Sequence, residues 1–440
     1  MGAAIAMAIG GGGGSSALAQ RGPDHGQRSS AAAAPEPVPP RDPGSHAPPQ
    51  ATNSPAGLRP DRGAIASPLP AGLGPASISG ASPAEHPSPP LAPALATEAA
   101  TGAEPVAASG GSALPLLSYA PETHLAFGGF GVYYFRIGDA PADSRPSYIA
   151  GAAIYTTRLQ TLIDLYPDFW FGNERFHLAS VANVRDFPDS FFGIGSHTRA
   201  ADEERYRFQG VREQVDATVR TVGRLYAGVR QEAQWYHVAD PRVGGALEQH
   251  TVLGSEGGWR SGIGATLTWD SRDSALSARR GGYYHASITT FQHALGSEYA
   301  YTRFNVDLRQ FVPLGGDHTL ALQLYGDLNA GNIPFQHLAL LGGQYRLRGH
   351  FEGRFRDKNY LLAQAEYRTP IFLWRFGFVA FAAAGVVAPR VDAFAPADIK
   401  WAAGAGVRFA LDVRERIHLR ADFGAGPDTW GLYVNVLEAF

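Results

Sequence analysis

From Tyr119 to Phe440 the chain alternates apolar and polar residues with a period of two, segment after segment, and this constrains the fold more than any other feature. In residues 211–220, Val211, Val215, Ala217 and Val219 fall on one face, and Arg212, Gln214, Asp216 and Arg220 on the other. Successive side chains of a strand point to opposite sides, so the segment reads as a strand with one greasy and one charged face. The pattern returns in Phe304, Val306 and Leu308 against Arg303, Asn305, Asp307 and Arg309, and in Ile417, Leu419 and Phe423 against His418, Arg420 and Asp422.

About fifteen such segments can be marked, from 123–136 to 429–440, with no helical pattern between them. Connections alternate between short ones, such as 172–174 and 313–317, and long ones, such as 188–205, 239–259 and 330–359. So many strands of ten or more residues would make an unusually large soluble sheet, whereas ~9–11 tilted residues span a bilayer. Aromatic residues gather near strand ends, in Tyr133-Tyr134-Phe135, Phe169-Trp170-Phe171 and Trp374-Arg375-Phe376, as interfacial girdles require. The reading is all-β: an antiparallel transmembrane β-barrel. A closed bacterial barrel has an even number of strands, so one more belongs in 188–205, in 239–259 or just before His124.

The chain before Tyr119 is a different material. Residues 1–19 read as a signal peptide with a cleavage site at Ala17-Leu18-Ala19, although Gly10 to Gly14 make a poor helix. Twenty of the 32 prolines precede Tyr119, and all 49 aromatic residues lie from Tyr119 onward. Residues 20–113, rich in Pro, Ala and Ser, therefore cannot bury enough apolar surface to offset their ordering entropy, and read as a disordered linker. The barrel domain is placed at 119–440.

The longest connection, 330–359, holds Arg346, Arg348, Arg354 and Arg356 among five glycines and several aromatics. A connection of that length is functional or disordered, and this is not a disordered composition. Arg348-Gly349, then Glu352-Gly353-Arg354-Phe355-Arg356-Asp357, then Ala365-Glu366-Tyr367-Arg368, resembles the barrel-plugging loop and following strand of the bacterial surface-antigen family, which includes the BamA and TamA barrels. Phe191-Phe192-Gly193-Ile194-Gly195, residues 267–273 with Gly281-Gly282-Tyr283, Gly404-Ala405-Gly406-Val407-Arg408 and terminal Phe440 occur in the family's order. The resemblance covers about residues 119 to 440.

That resemblance implies sixteen strands, with residues 330–359 folded into the lumen around Arg348, Gly349, Arg354, Arg356 and Asp357. By strand parity Glu366 faces inward with Gln364 and Arg368, and it is the expected partner of Arg348. A second acid, implied in the next strand, is missing from Ala384-Gly385-Val386-Val387, and His350 replaces an aromatic. Leu432, Val434, Val436 and Phe440 resemble a terminal targeting signal for the outer-membrane barrel assembly machinery, with Phe440 toward lipid and Glu438 at the periplasmic rim. Family barrels of the BamA and TamA type carry folded repeats before the barrel, which the composition of 20–113 does not match. The resemblance implies a Gram-negative outer-membrane address with a periplasmic N-terminal segment. It also implies a surround of outer-membrane lipids and a role in inserting or translocating unfolded client proteins; the rival reading is a porin-like channel or structural barrel.

Enzymatic chemistry is not indicated. No His-Glu-x-x-His spacing, nucleophile elbow or phosphate loop occurs, so no catalytic, metal or cofactor site is assigned. Asp270-Ser271-Arg272-Asp273, at a strand end before an Arg-Arg-Gly-Gly turn, reads as a structural ion-pair cluster. A net charge of −3 gives no indication of nucleic acid binding.

Overall fold

The computed structural model describes residues 109–138, 144–413 and 416–440. The expected signal peptide, and the linker as far as residue 108, lie outside the described residues. Strands run in chain order as β1 (Ser109–Ala120), β2 (His124–Phe135), β3 (Ser147–Thr156), β4 (Thr161–Phe171), β5 (Phe176–Phe191), β6 (Glu204–Val222), β7 (Leu225–Ala239), β8 (Gly257–Asp270) and β9 (Gly281–Phe291). They continue as β10 (Tyr301–Gly315), β11 (His318–Gly331), β12 (Ala339–Leu341), β13 (Phe355–Asp357), β14 (Asn359–Arg368), β15 (Phe376–Ala388), β16 (Lys400–Asp412), β17 (Ile417–Gly426) and β18 (Thr429–Val436). Sixteen of them close an antiparallel barrel in which sequence neighbours pair; β12 and β13 form a separate small hairpin inside the β11–β14 connection. Among the described residues no helix is long and apolar enough to cross a membrane, and the strands do the crossing.

The sixteenth strand is β1, just before His124. The barrel thus begins ten residues ahead of the expected Tyr119, and residues 109–113, assigned to the linker by composition, are its first half. The misreading has a physical source: Ser109-Gly110-Gly111-Ser112-Ala113 offers little apolar side chain to alternate, and Pro115 lacks the N–H a central strand needs. β1 tolerates this because one of its edges is almost unpaired. It pairs with β2 over its whole length, yet meets β18 in register only at Tyr119↔Val434. Every other neighbouring pair in the barrel registers at eight or more positions.

The alternation read from sequence is realised with the greasy face outward. Val211, Phe304, Leu308, Leu324 and Phe423 are exposed on the outer wall, while Arg212, Asp307, Arg309, Arg420 and Asp422 are buried inside. Dry apolar surface on the outside and charge on the inside is the arrangement a lipid surround requires. The inner wall neutralises itself by cross-strand pairs, Arg212–Glu232 at 2.7 Å, Arg230–Asp216 at 2.7 Å and Arg303–Asp327 at 2.5 Å, and by Arg309–Asp307 at 2.6 Å along β10.

The two ends of the barrel differ. At one, here the loop end, lie the connections 192–203, 240–256, 292–300, 332–358 and 389–399. At the other, the terminus end, where β1 starts and β18 finishes, connections such as 223–224 and 316–317 are two-residue hairpin turns. Three terminus-end connections are much longer, 136–146, 271–280 and 369–375; of these, 271–280 lies between the two-residue turns 223–224 and 316–317.

Candidate functional site

The β11–β14 connection, 332–358, folds back from the loop end into the lumen, and its sequence explains how. The β12–β13 hairpin pairs Ala339↔Asp357 and Leu341↔Phe355, giving the segment a rigid neck. Beyond the neck, Gly343 N–H donates to the His350 carbonyl at 2.9 Å, and Gly342, Gly343, Gly349 and Gly353 all have positive φ. The neck is apolar: Ala339, Leu341 and Leu347 are buried with Tyr325, Tyr360 and Val387 of the wall.

At the tip, Arg348 is buried and grips two acids. Its Nη2 donates to Glu366 Oε2 at 2.5 Å and its Nη1 to Asp422 Oδ2 at 2.5 Å, while its guanidinium lies 3.6 Å from the Phe381 ring centroid. Glu366 is the expected partner. The second acid is present after all, on β17 and not in residues 384–387, which are apolar wall. Asp422 shares the charged face of His418 and Arg420 in the sequence, but the register that brings β17 opposite the loop is not written in any local pattern.

Around the tip the charges interlock. Asp422 also accepts from Arg408 Nη1 at 2.5 Å and Arg420 Nη1 at 3.3 Å; Glu366 accepts from Arg368 Nε at 2.8 Å. Glu438 accepts from Arg408 Nε at 2.8 Å and pairs with His418 Nδ1 at 3.1 Å. Buried ions persist only when paired and hydrogen-bonded, and here three acids are shared among four arginines. Such a network specifies one seating of the loop because each charge has its partner only in that seating.

Gly349 is needed beside it. Its φ is +116°, and an added Cβ would lie 2.9 Å from Ala425 N and Gly424 C of β17. Conversely, a Cβ on Gly424 would collide with the Arg348 carbonyl oxygen. This backbone-to-backbone approach is fixed by Gly349 N–H donating to Tyr433 Oη at 3.0 Å and by Thr429 Oγ1 donating to the Gly349 carbonyl at 2.7 Å. His350 substitutes for an aromatic by donating from Nε2 to the Trp401 carbonyl at 3.1 Å; burial holds its pKa below the usual histidine value.

The remaining loop residues sit elsewhere. Arg354 donates to Thr198 Oγ1 at 2.9 Å and to the Thr198 carbonyl at 2.7 Å, and Arg356 donates to the Ser190 carbonyl at 3.1 Å. Both thereby tie the loop to the β5–β6 side of the barrel. Asp357 accepts the Lys358 N–H at 2.8 Å and closes the hairpin locally. A second contact with the wall, not foreseen from sequence, is His337: its Nε2 donates to Gln234 Oε1 at 2.5 Å, and its Nδ1 accepts from Tyr301 Oη at 2.6 Å.

The terminal residues require a correction. Leu432 is exposed on the outer wall, but Val436 is buried in the apolar cluster that includes Leu116, Ile417 and Leu437. At Leu437 the backbone takes φ +67°, and the chain turns into the lumen instead of continuing outward. Phe440 is buried with Phe311, Ala321, Ala278 and Ala439, and its main-chain oxygen accepts from Arg368 Nη2 at 2.8 Å. Glu438 is correspondingly part of the inner network, not of an outward rim. Period-two extrapolation fails here because one left-handed residue reverses the facing of everything after it.

The Asp270 to Asp273 segment forms ion pairs: Arg272 Nη2–Asp270 at 2.8 Å and Arg416 Nη1–Asp273 at 2.8 Å. Among the described residues no group of His, Cys, Asp or Glu is placed to hold a metal ion.

Residues 155–423 match the family described as the Omp85 superfamily domain. No curated protein matches the chain in sequence. The fold is similar to those of solved structures, BamA and CdiB among them. BamA from Haemophilus ducreyi lacking POTRA domains 1–3 aligns with a TM-score of 0.52 at 11% identity, over 74% of this chain and 70% of that one. CdiB from Acinetobacter baumannii aligns with a TM-score of 0.50 at 12% identity, over 75% of this chain and 59% of that one.

Proposed function

This chain belongs to the Omp85 superfamily, and from that premise we propose that, as an outer-membrane barrel, it assists the insertion or translocation of other polypeptide chains. The observation that carries the reading is the seam. β1 and β18 meet in register only at Tyr119↔Val434 in a barrel whose other strands are laddered throughout. In hydrocarbon an unpaired strand edge is costly and readily accepts another strand. A seam of this kind is where the wall can part and where a client strand can pair by β-augmentation. A porin-like pore is less well supported, because the lumen is occupied by a charged loop held at both walls.

In this reading the terminus end faces the periplasm, with the segment before β1, and the loop end faces outward. The outer band meets outer-membrane lipids, the barrel assembly machinery acts during biogenesis, and unfolded outer-membrane proteins are the clients. The chain contains no cysteine, so the seam can be locked by design. Tyr119→Cys with Val434→Cys, oxidised, is expected to abolish the acceleration of client folding into proteoliposomes, and reductant to restore it. A locked barrel as active as the reduced one overturns the reading.

A further inference from the structure

The connection 271–280 is too long and too buried for a turn. The connections on either side of it at this end, 223–224 and 316–317, have two residues, yet this one has ten, and its Ser274, Leu276, Ser277 and Ala278 are buried. The segment leaves β8 and β9 and reaches Arg416, in the connection between β16 and β17. Four strands, β10, β11, β14 and β15, intervene along the barrel wall. Only a segment crossing the opening joins those points.

Its attachments are specific. Asp273 Oδ2 accepts from Arg416 Nη1 at 2.8 Å, and the same Nη1 donates to the Ser277 carbonyl at 3.3 Å. Asp273 Oδ1 is oriented by the N–H groups of Arg279 and Arg280 at 2.9 and 3.2 Å. Arg279 pairs with Asp317 of the β10–β11 turn at 2.9 Å. From the opposite side the tail after β18 enters the same opening, and Ala278 is buried with Ala439 and Phe440. Strap and tail meet in the mouth.

We propose that residues 271–280 are a releasable strap that closes the terminus-end mouth of the lumen, latched across the opening by the Asp273–Arg416 ion pair. The latch suits release: the Arg416 and Asp273 side chains retain 27% and 12% of their exposure, so salt and competing charge reach the pair. Of its buried residues, Ser274, Ser277 and Ala278 are small, and Leu276 is the one large side chain that lifting must withdraw. In the orientation proposed above the strap faces the periplasm and governs entry to the lumen from that side, a property independent of whether the seam handles clients.

The test is thiol accessibility in the full folded chain, which has no native cysteine. Ala278→Cys reports the strap, and Val222→Cys, at the exposed end of β6 on the same side, reports free access. A membrane-impermeant maleimide is expected to label Ala278→Cys at least tenfold more slowly than Val222→Cys. Adding Asp273→Asn, which keeps the acceptor for the two N–H groups but removes the charge, or Arg416→Ala, is expected to speed labelling at least tenfold while heat-modifiable migration stays intact. If either variant fails to fold, the parent decides, since 1 M NaCl is expected to raise its labelling severalfold. Labelling of Ala278→Cys within twofold of Val222→Cys, or indifferent to both variants and to salt, overturns the proposal.

Discussion

Arg348 shows what one side chain contributes to seating the loop. Arg348→Ala leaves Glu366 and Asp422 with their remaining arginines but removes the tie from loop to wall. Leaving a buried charge unpaired costs about 3–5 kcal/mol, and the loss here falls below that range because Arg368 and Arg408 still pair with the two acids. The expected outcome is a barrel that still folds, with a lower thermal midpoint for the heat-modifiable band and a loop open to protease. Gly424→Ala makes an independent case, since it removes no charge and only drives a methyl into the Arg348 carbonyl. Loop proteolysis in both variants supports the seating; resistance in Gly424→Ala would show that the tip has room to move. Glu122, in the β1–β2 turn, accepts the Glu352 N–H at 2.8 Å, and burial pushes its carboxyl from 4.5 up to about 7, with Asp189 adding to the rise and the N–H and Arg158 opposing it. The folded state therefore holds this proton where the unfolded chain releases it. Stability from this group is complete below pH 4.5 and is lost as pH rises to 7, by about 3 kcal/mol at most. The thermal midpoint should fall between pH 5 and pH 8, and Glu122→Gln should flatten that fall; an equal slope in both proteins would assign it to other groups. At this scale the sequence was partly legible. Arg348, Gly349 and Glu366 could be chosen by loop chemistry and strand parity, whereas Asp422, Tyr433 and Glu122 reach the loop through closure of the barrel, which no local spacing encodes.

Among the elements, long alternating strands such as β6 and β10 could be read directly, because each half-turn of the pleat carries a decisive side chain. β1 could not, since Gly, Ser and Pro leave alternation almost blank, and the strand is held by β2 on one side only. The tail was misread for the opposite reason: alternation was present, but a left-handed Leu437 cancelled it. The consequence is testable. Phe440, buried against Phe311 and Ala321, contributes ~2–3 kcal/mol by burial, in the lumen and not in lipid. Phe440→Ala should therefore lower the stability of barrel refolded from urea into detergent, where no assembly machinery is present. Arg368→Gln, which removes the guanidinium bridging Glu366 and the Phe440 oxygen, should move stability in the same direction. An unchanged refolded barrel, with loss confined to cells, would restrict Phe440 to targeting.

For the molecule as a whole, the lumen has two closures in series: the Arg348 loop from the loop end, and the strap with the tail from the terminus end. Series closures do not act additively on conductance, because either alone blocks the path. Replacing residues 343–353 by a short Gly-Ser linker removes the loop tip and leaves the strap. In planar bilayers this variant is expected to conduct little more than the intact barrel, and Arg416→Ala alone likewise. The combination should give large, regular openings, since the inner wall left behind is charged and wet. Heat-modifiable migration of each variant establishes that the barrel persists. Full conductance from the loop replacement alone would show that the strap does not seal, and leave the loop as the sole barrier. No conductance from the combination would place the barrier in the wall side chains, among the arginine–carboxylate pairs that span β6 to β11.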